Sequence, residues 1–98
     1  MTIQTEKNGN VLTVIVDGSI DTVTAPTLEK ELESLYEGAE EMIIDMAKVD
    51  YVSSAGLRVI LGADRQMNDH GKLILRNVIE DVKEVFEMTG FDEILTIE

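Results

Sequence analysis

The chemistry most plainly displayed by this sequence lies in Ser53-Ser54-Ala55-Gly56-Leu57-Arg58: two adjacent hydroxyls, two small residues and a cation. The segment leads into Leu57, Ile60, Leu61 and Met67, apolar residues at helical spacing, so it reads as the start of a helix. A helix start leaves N–H donors without intrahelical acceptors and carries about half a positive charge. One serine can cap those donors. A phosphate on the other would add about −1.5 to −2 charges where donors and dipole favour an anion. Arg58 lies four residues past Ser54, one turn along, and can reach such a group. It can equally be a solvated residue pairing with nearby acids. Gly56 removes a side chain from the first turn and lets another backbone approach.

Other chemistry is thin. His70 is the single histidine, so a Ser–His–acid triad would have to use it. It stands at the far end of the same helix, and about 15 helical residues span about 22 Å, too far for a hydrogen bond to Ser54. His70-Gly71 reads instead as a helix ending, with His complementing the dipole. Asp17 and Asp21 flank Gly18, faintly like a calcium loop, but the ligand series stops there. Gly71-Lys72 lacks the remaining residues of a phosphate-cradling loop. There is no cysteine, hence no disulfide, thiolate metal site or cysteine nucleophile. No catalytic residue, metal or cofactor is expected. Met42 and Met46 read as core or edge packing.

The elements that must position the serines follow from periodicity and punctuation. Val11 to Val16 is a β-branched strand, and Ile3 to Glu6 a partner joined through the turn Asn8-Gly9-Asn10. Thr24 reads as the cap of a first helix, with Pro26 in its first turn, Leu28, Leu32 and Leu35 on its apolar face and Gly38 beyond its end near Glu37. Met42 to Met46 is a buried strand, and the Ser53–His70 helix follows. Leu73 to Leu75 is another strand. A third helix begins at Glu80-Asp81, carries Val82, Val85 and Phe86, and stops at Gly90, with Phe91 folding back toward Phe86. Ile94 to Ile97 closes the chain as a strand. The order ββαβαβαβ implies an α/β fold with a mixed sheet.

The chain has 98 residues, 20 acidic and 8 basic, for a formal charge of −12, and 44% of its residues are apolar. That length and apolar fraction suit one globular domain and argue against disorder. The acidic balance disfavours direct binding to a phosphate backbone. The first residues lack the basic and apolar regions of a signal peptide, and no apolar run approaches a membrane span, so a cytoplasmic protein is expected. The six acids from Glu29 to Glu41 and seven from Glu80 to Glu98 read as solubilising faces that could also steer a basic partner.

Tyr51 to Leu61, YVSSAGLRVIL, resembles the signature of STAS-domain anti-sigma factor antagonists. Upstream, GSIDTVTAPTLEKEL is similar to that family's approach to its first helix, with Gly18, Asp21, Thr24, Ala25 and Leu28 in register. Downstream, the third helix and MTGFDEIL resemble the C-terminal portion. The resemblance covers nearly the whole chain and implies one STAS domain over residues 1–98. It also implies a four- or five-stranded mixed sheet with three main helices packed mainly on one side. It implies a binding module rather than an enzyme. In such systems the unphosphorylated antagonist binds an anti-sigma factor that is also a serine kinase, which frees a sigma factor. The kinase switches the antagonist off by phosphorylating a serine, and a metal-dependent serine phosphatase restores it. The resemblance places the phosphoacceptor at Ser54, with Ser53 as the rival, where many members carry Asp. Ala55 stands where others carry Ser or Thr. The partner surface it implies comprises Asp21, Thr24, Ser53, Ser54, Ala55, Gly56 and Arg58. A STAS module serving a target other than a sigma factor, or one binding a phosphate or nucleotide at the same helix start, are the alternative readings.

Overall fold

Leu12, Val14 and Val16 alternate with Thr13 and Ile15, and this period of two makes one face of a central strand apolar. A computed structural model describes residues 1–98 and shows how the chain is laid against that strand. Strand β1 (Thr2–Asn8) pairs antiparallel with β2 (Val11–Asp17) through a two-residue loop, Gly9-Asn10. Of these two residues only Gly9 takes a left-handed φ, +63°. The left-handed residue is thus the first of the two, where a type II′ hairpin needs glycine, and Asn8 stays in the strand rather than in the turn.

Strands β3 (Glu41–Lys48), β4 (Lys72–Arg76) and β5 (Thr96–Ile97) follow in parallel. The result is a mixed sheet of five strands in the order β1-β2-β3-β4-β5. Helices α1 (Ala25–Glu33), α2 (Ser54–Asn68) and α3 (Glu80–Thr89) form the three crossovers. Crossovers between parallel strands are right-handed, and the strand order never reverses, so all three helices land on the same side. One apolar cluster accordingly joins alternate residues of the sheet, Val14, Ile44 and Leu75 among them, to Leu28, Ile60 and Phe86 of the three helices. Met42 and Met46 are both fully buried in that cluster.

The opposite face carries no helix. Ile43 and Ile74 lie there outside the main cluster, yet only 6% and 3% exposed. They face each other across the β3–β4 register, between the ion pairs Glu41–Lys72 (3.5 Å) and Arg76–Glu98 (3.2 Å).

Several boundaries differ from the sequence expectation, and β3 and β4 each extend beyond both expected ends. Helix α1 ends at Glu33 rather than near Glu37. There the Leu35 N–H bonds to the Leu32 carbonyl, a tightening that turns Leu35 and Tyr36 back onto the core before Gly38 (φ +88°). The last strand is only Thr96–Ile97, because Phe91–Glu93 forms a 3-10 turn after left-handed Gly90 and leaves Ile94 exposed. Strand β1 is longer than Ile3 to Glu6, because the tight hairpin carries pairing to both of its ends. The loops that follow β2 and β3 emerge at the carboxyl edge of the parallel strands, and both sets of singled-out residues lie there.

Candidate functional site

The β2–α1 and β3–α2 loops are strapped together by backbone hydrogen bonds. The Ile20 N–H donates to the Tyr51 carbonyl (2.9 Å), and the Ser53 N–H donates to the Ile20 carbonyl (2.9 Å). Together they make an isolated parallel bridge between Ile20 and Val52, both buried. The Ser19 hydroxyl adds a bond to an Asp50 carboxyl oxygen at 2.9 Å. Two segments distant in sequence are thereby fixed side by side, Asp21–Thr24 in one and Ser53–Arg58 in the other.

Thr24 occupies the cap position of α1, but its side chain makes no capping bond. Its backbone is already helical (φ −91°, ψ −22°), which turns the hydroxyl back to donate to the Ser19 carbonyl at 2.7 Å. Asp21 does the capping work instead. Its Oδ1 accepts from the N–H groups of Val23 (2.9 Å) and Thr24 (3.0 Å), and its carbonyl accepts from the Ala25 N–H. The Thr24 N–H above all, then that of Val23 and the Thr24 hydroxyl, hold the Asp21 carboxyl below its usual range, against some opposition from burial. Asp21 and Thr24 thus shape the loop with the polar atoms the sequence offered to a partner.

The two serines separate cleanly. Ser53 is the N-cap of α2: its backbone is extended (φ −84°, ψ 175°) and its Oγ accepts from the Gly56 N–H at 3.2 Å. Its carbonyl accepts from the Leu57 N–H at 2.8 Å. Ser54 is the first helical residue, exposed, and its hydroxyl makes no hydrogen bond within the chain. Gly56 is buried, and a Cβ there would lie 2.6 Å from the Ile20 carbonyl oxygen, so the glycine is what lets the strapped loop pass over the helix start. Ala55 is half-buried behind it. Arg58 is exposed and has no carboxylate partner within 4.0 Å, since the only ion pairs are those of Lys72 and Arg76.

Two clefts flank this helix start. One, about 340 Å³, lies toward α3 and is lined by Ser54, Leu57, Arg58, Leu61, Thr89 and Phe91. The other, about 170 Å³, lies toward α1 and includes Thr22, Ala25, Ala55 and Arg58. The α3-side cleft escaped the sequence reading, because only tertiary packing brings Thr89 and Phe91 to Ser54. The Ile20 strap also escaped it. Its one signal was an apolar residue between Gly18 and Asp21, outside any strand pattern.

His70 stands at the other end of α2, where Nε2 donates to the Tyr36 carbonyl at 2.8 Å and ties the α2–β4 turn to the end of α1. It takes no part in the serine site. No three His, Asp or Glu side chains converge as a metal site would require, and no helix is long and apolar enough to cross a membrane.

The sequence model of the STAS domain matches residues 2–98. This chain belongs to the STAS domain family. Among its STAS relatives is BtrV of Bordetella bronchiseptica, provisionally named an anti-sigma factor antagonist, 33% identical over 99% of this chain and 85% of its own length. Another is the anti-sigma-B factor antagonist of Bacillus subtilis, 31% identical over 97% of this chain and 88% of its own length. The STAS fold here also matches solved structures of the anti-sigma factor antagonist SpoIIAA. The unphosphorylated form gives a TM-score of 0.83 at 18% identity, covering 99% of this chain and 88% of that one. The phosphorylated form, from Bacillus, gives 0.76 at 17% identity, covering 99% and 91%. At those identities the structural likeness speaks for the fold.

Proposed function

We propose that this STAS protein is an anti-sigma factor antagonist that works by partner switching in the cytoplasm. Unmodified, it binds an anti-sigma factor that is also a serine kinase, and so releases a sigma factor. Phosphorylation of Ser54 ends that binding, and a metal-dependent serine phosphatase restores it. The names of the sequence relatives support the partner class. The observation that carries the choice of residue is the division of labour at α2: Ser53 is engaged as the cap, and Ser54 presents a free, exposed hydroxyl.

In the modification, Ser54 Oγ attacks the γ-phosphorus of ATP held by the kinase. The bond from that phosphorus to the bridging oxygen breaks, ADP departs, and the hydroxyl proton passes to a base of the kinase. The dianion then stands in the contact surface bordered by Asp21, Thr24, Ser53, Ala55, Gly56 and Arg58. Burying it against a partner surface that offers it no cation costs several kcal/mol, on the order of a hundredfold or more in affinity. No refolding is required, because Ser54 is already outside the core. The chain's charge of −12 opposes direct contact with nucleic acid. The strand order also lacks the reversal at which open α/β sheets form their nucleotide crevice.

The test is capture from the native cytoplasm on unmodified and Ser54-phosphorylated protein. A small ATP-binding serine kinase retained by the unmodified form alone is the expected result. The same partners on both forms, or no kinase on either, would remove Ser54 from the switch. If the kinase appears and its own client is not a sigma factor, the module serves another target.

A further inference from the structure

We propose that Arg58 is the built-in partner of a phosphate on Ser54, so that modification both adds negative charge at the start of α2 and masks the one basic side chain of its first two turns. This inference rests on Ser54 being the phosphorylated residue, and it concerns what the phosphate does to its own surface.

Three features support it. Arg58 has no carboxylate within 4.0 Å, in a chain with 20 acidic side chains. That leaves the guanidinium free to take a new partner, as it does Arg65 and four of the five lysines, and its place beside Ser54 is what sets it apart. It also lies four residues past Ser54 on the same helix face, and helical side chains lean toward the N-terminus, over the turn that carries the serine. Finally, Arg58 lines both clefts beside the helix start and is the only basic residue in either.

The helix start completes the receptor. The Gly56 and Leu57 N–H groups are taken by Ser53, which leaves those of Ser54 and Ala55 at the α2 terminus without helical acceptors. No acidic residue occupies the first turn. A phosphate on Ser54 therefore meets two backbone donors, the positive end of the helix and a guanidinium whose paired N–H groups suit phosphate oxygens. In the unmodified protein the same guanidinium is available to an acidic group of a partner. Phosphorylation withdraws it, so a partner that fits the unmodified surface loses an attraction and gains a repulsion in one step.

The test uses the full chain with phosphoserine installed at position 54, in wild type, Arg58→Gln and Arg58→Lys, each titrated by phosphorus NMR. A free phosphoserine has its second ionisation near pH 6. The expected result is a wild-type value lower than that of Arg58→Gln by about half a unit or more, about a threefold difference in proton affinity. Arg58→Lys, which keeps the charge and loses the fork, should fall between them. The gap should shrink in 1 M salt. Superimposable titrations of wild type and Arg58→Gln would overturn the pairing. The unphosphorylated variants should melt with wild type, since Arg58 has no partner to lose. Kinase capture on the same samples separates the two ideas. Loss of the kinase by both phosphorylated proteins with identical titrations rejects Arg58 and keeps the switch. Retention of the kinase by phosphorylated wild type rejects the switch, and the titration still decides the pairing.

Discussion

Gly56 sits against the carbonyl of Ile20 so closely that a Cβ on it would lie 2.6 Å from the oxygen, 2.8 Å from the Ile20 Cγ2 and 3.0 Å from the Val52 Cγ1. The oxygen belongs to the strap that holds the β2–α1 loop against the start of α2, and it already accepts from the Ser53 N–H. It cannot yield without loosening both loops. Gly56→Ala should therefore destabilise by about 1–3 kcal/mol, the usual range for overpacking a filled site. Gly62, six residues along the same helix, has nothing within 4 Å of its would-be Cβ. Gly62→Ala should stabilise by about 0.8–1 kcal/mol, the helix-propensity difference. Urea melts of the two variants should move in opposite directions, and equal shifts would remove the steric reading of Gly56.

The two serines should separate as sharply by stability as they do by geometry. Ser53→Ala removes the acceptor for the Gly56 N–H and should cost about 1 kcal/mol, while Ser53→Asp keeps a capping oxygen and should cost little. Ser54→Ala removes a hydroxyl with no intramolecular partner and should melt within about 0.5 kcal/mol of wild type, as surface changes do. In a kinase reaction followed by phosphopeptide mapping, Ser53→Asp should still accept phosphate and Ser54→Ala should not. Modification of Ser54→Ala at Ser53 would reverse the assignment. It would also require the cap to be broken first.

The reading of Ser53 and Ser54 as a helix start succeeded because capping is local: residue type, a following apolar period and a nearby glycine suffice. The alternation in β2 and the stripe in α2 were legible for the same reason. What escaped depends on contacts distant in sequence. Thr24 looked like a cap, but its backbone turns helical one residue early and its hydroxyl finds Ser19, while Asp21, three residues upstream, takes the N–H groups. The end of α1 was misplaced because Leu35 keeps helical spacing while packing from a turn. The cleft beside Ser54 could not be read at all, since Phe91 reaches it from the far end of α3.

The loop that carries Asp21 should respond to acid. Its folded carboxyl is held below the unfolded value, chiefly by the Thr24 N–H, so its contribution to stability is complete above about pH 3.9 and is lost as pH falls through the lower folded value. Asp21→Asn keeps an acceptor but loses the charge that strengthens those bonds. Wild type should be the more stable protein at pH 7, with the difference narrowing below about pH 3.9. Carbon NMR of the Asp21 carboxyl and the Thr24 amide shift should titrate together. A carboxyl titrating at the ordinary value with no response at Thr24 would contradict this account.

Asp64 should show the opposite dependence. It is the one charged residue buried in the chain, 7% exposed on α2, with a single side-chain partner, the Asn68 Nδ2 at 3.3 Å. Burial pushes its carboxyl above the usual value, and the Asn68 bond opposes this only in part. The folded state then holds the proton to higher pH than the unfolded chain does, so stability falls as pH rises through that window. The cost is complete above the folded value and absent below the unfolded one, near 3.9. Asp64→Asn keeps the shape and an oxygen able to accept from Asn68, and removes the charge. It should raise the melting temperature at pH 7, and the gain should fade as the pH drops through the carboxylate range. A variant less stable than wild type at pH 7 would mean that the ionised carboxyl has a stabilising partner beyond Asn68.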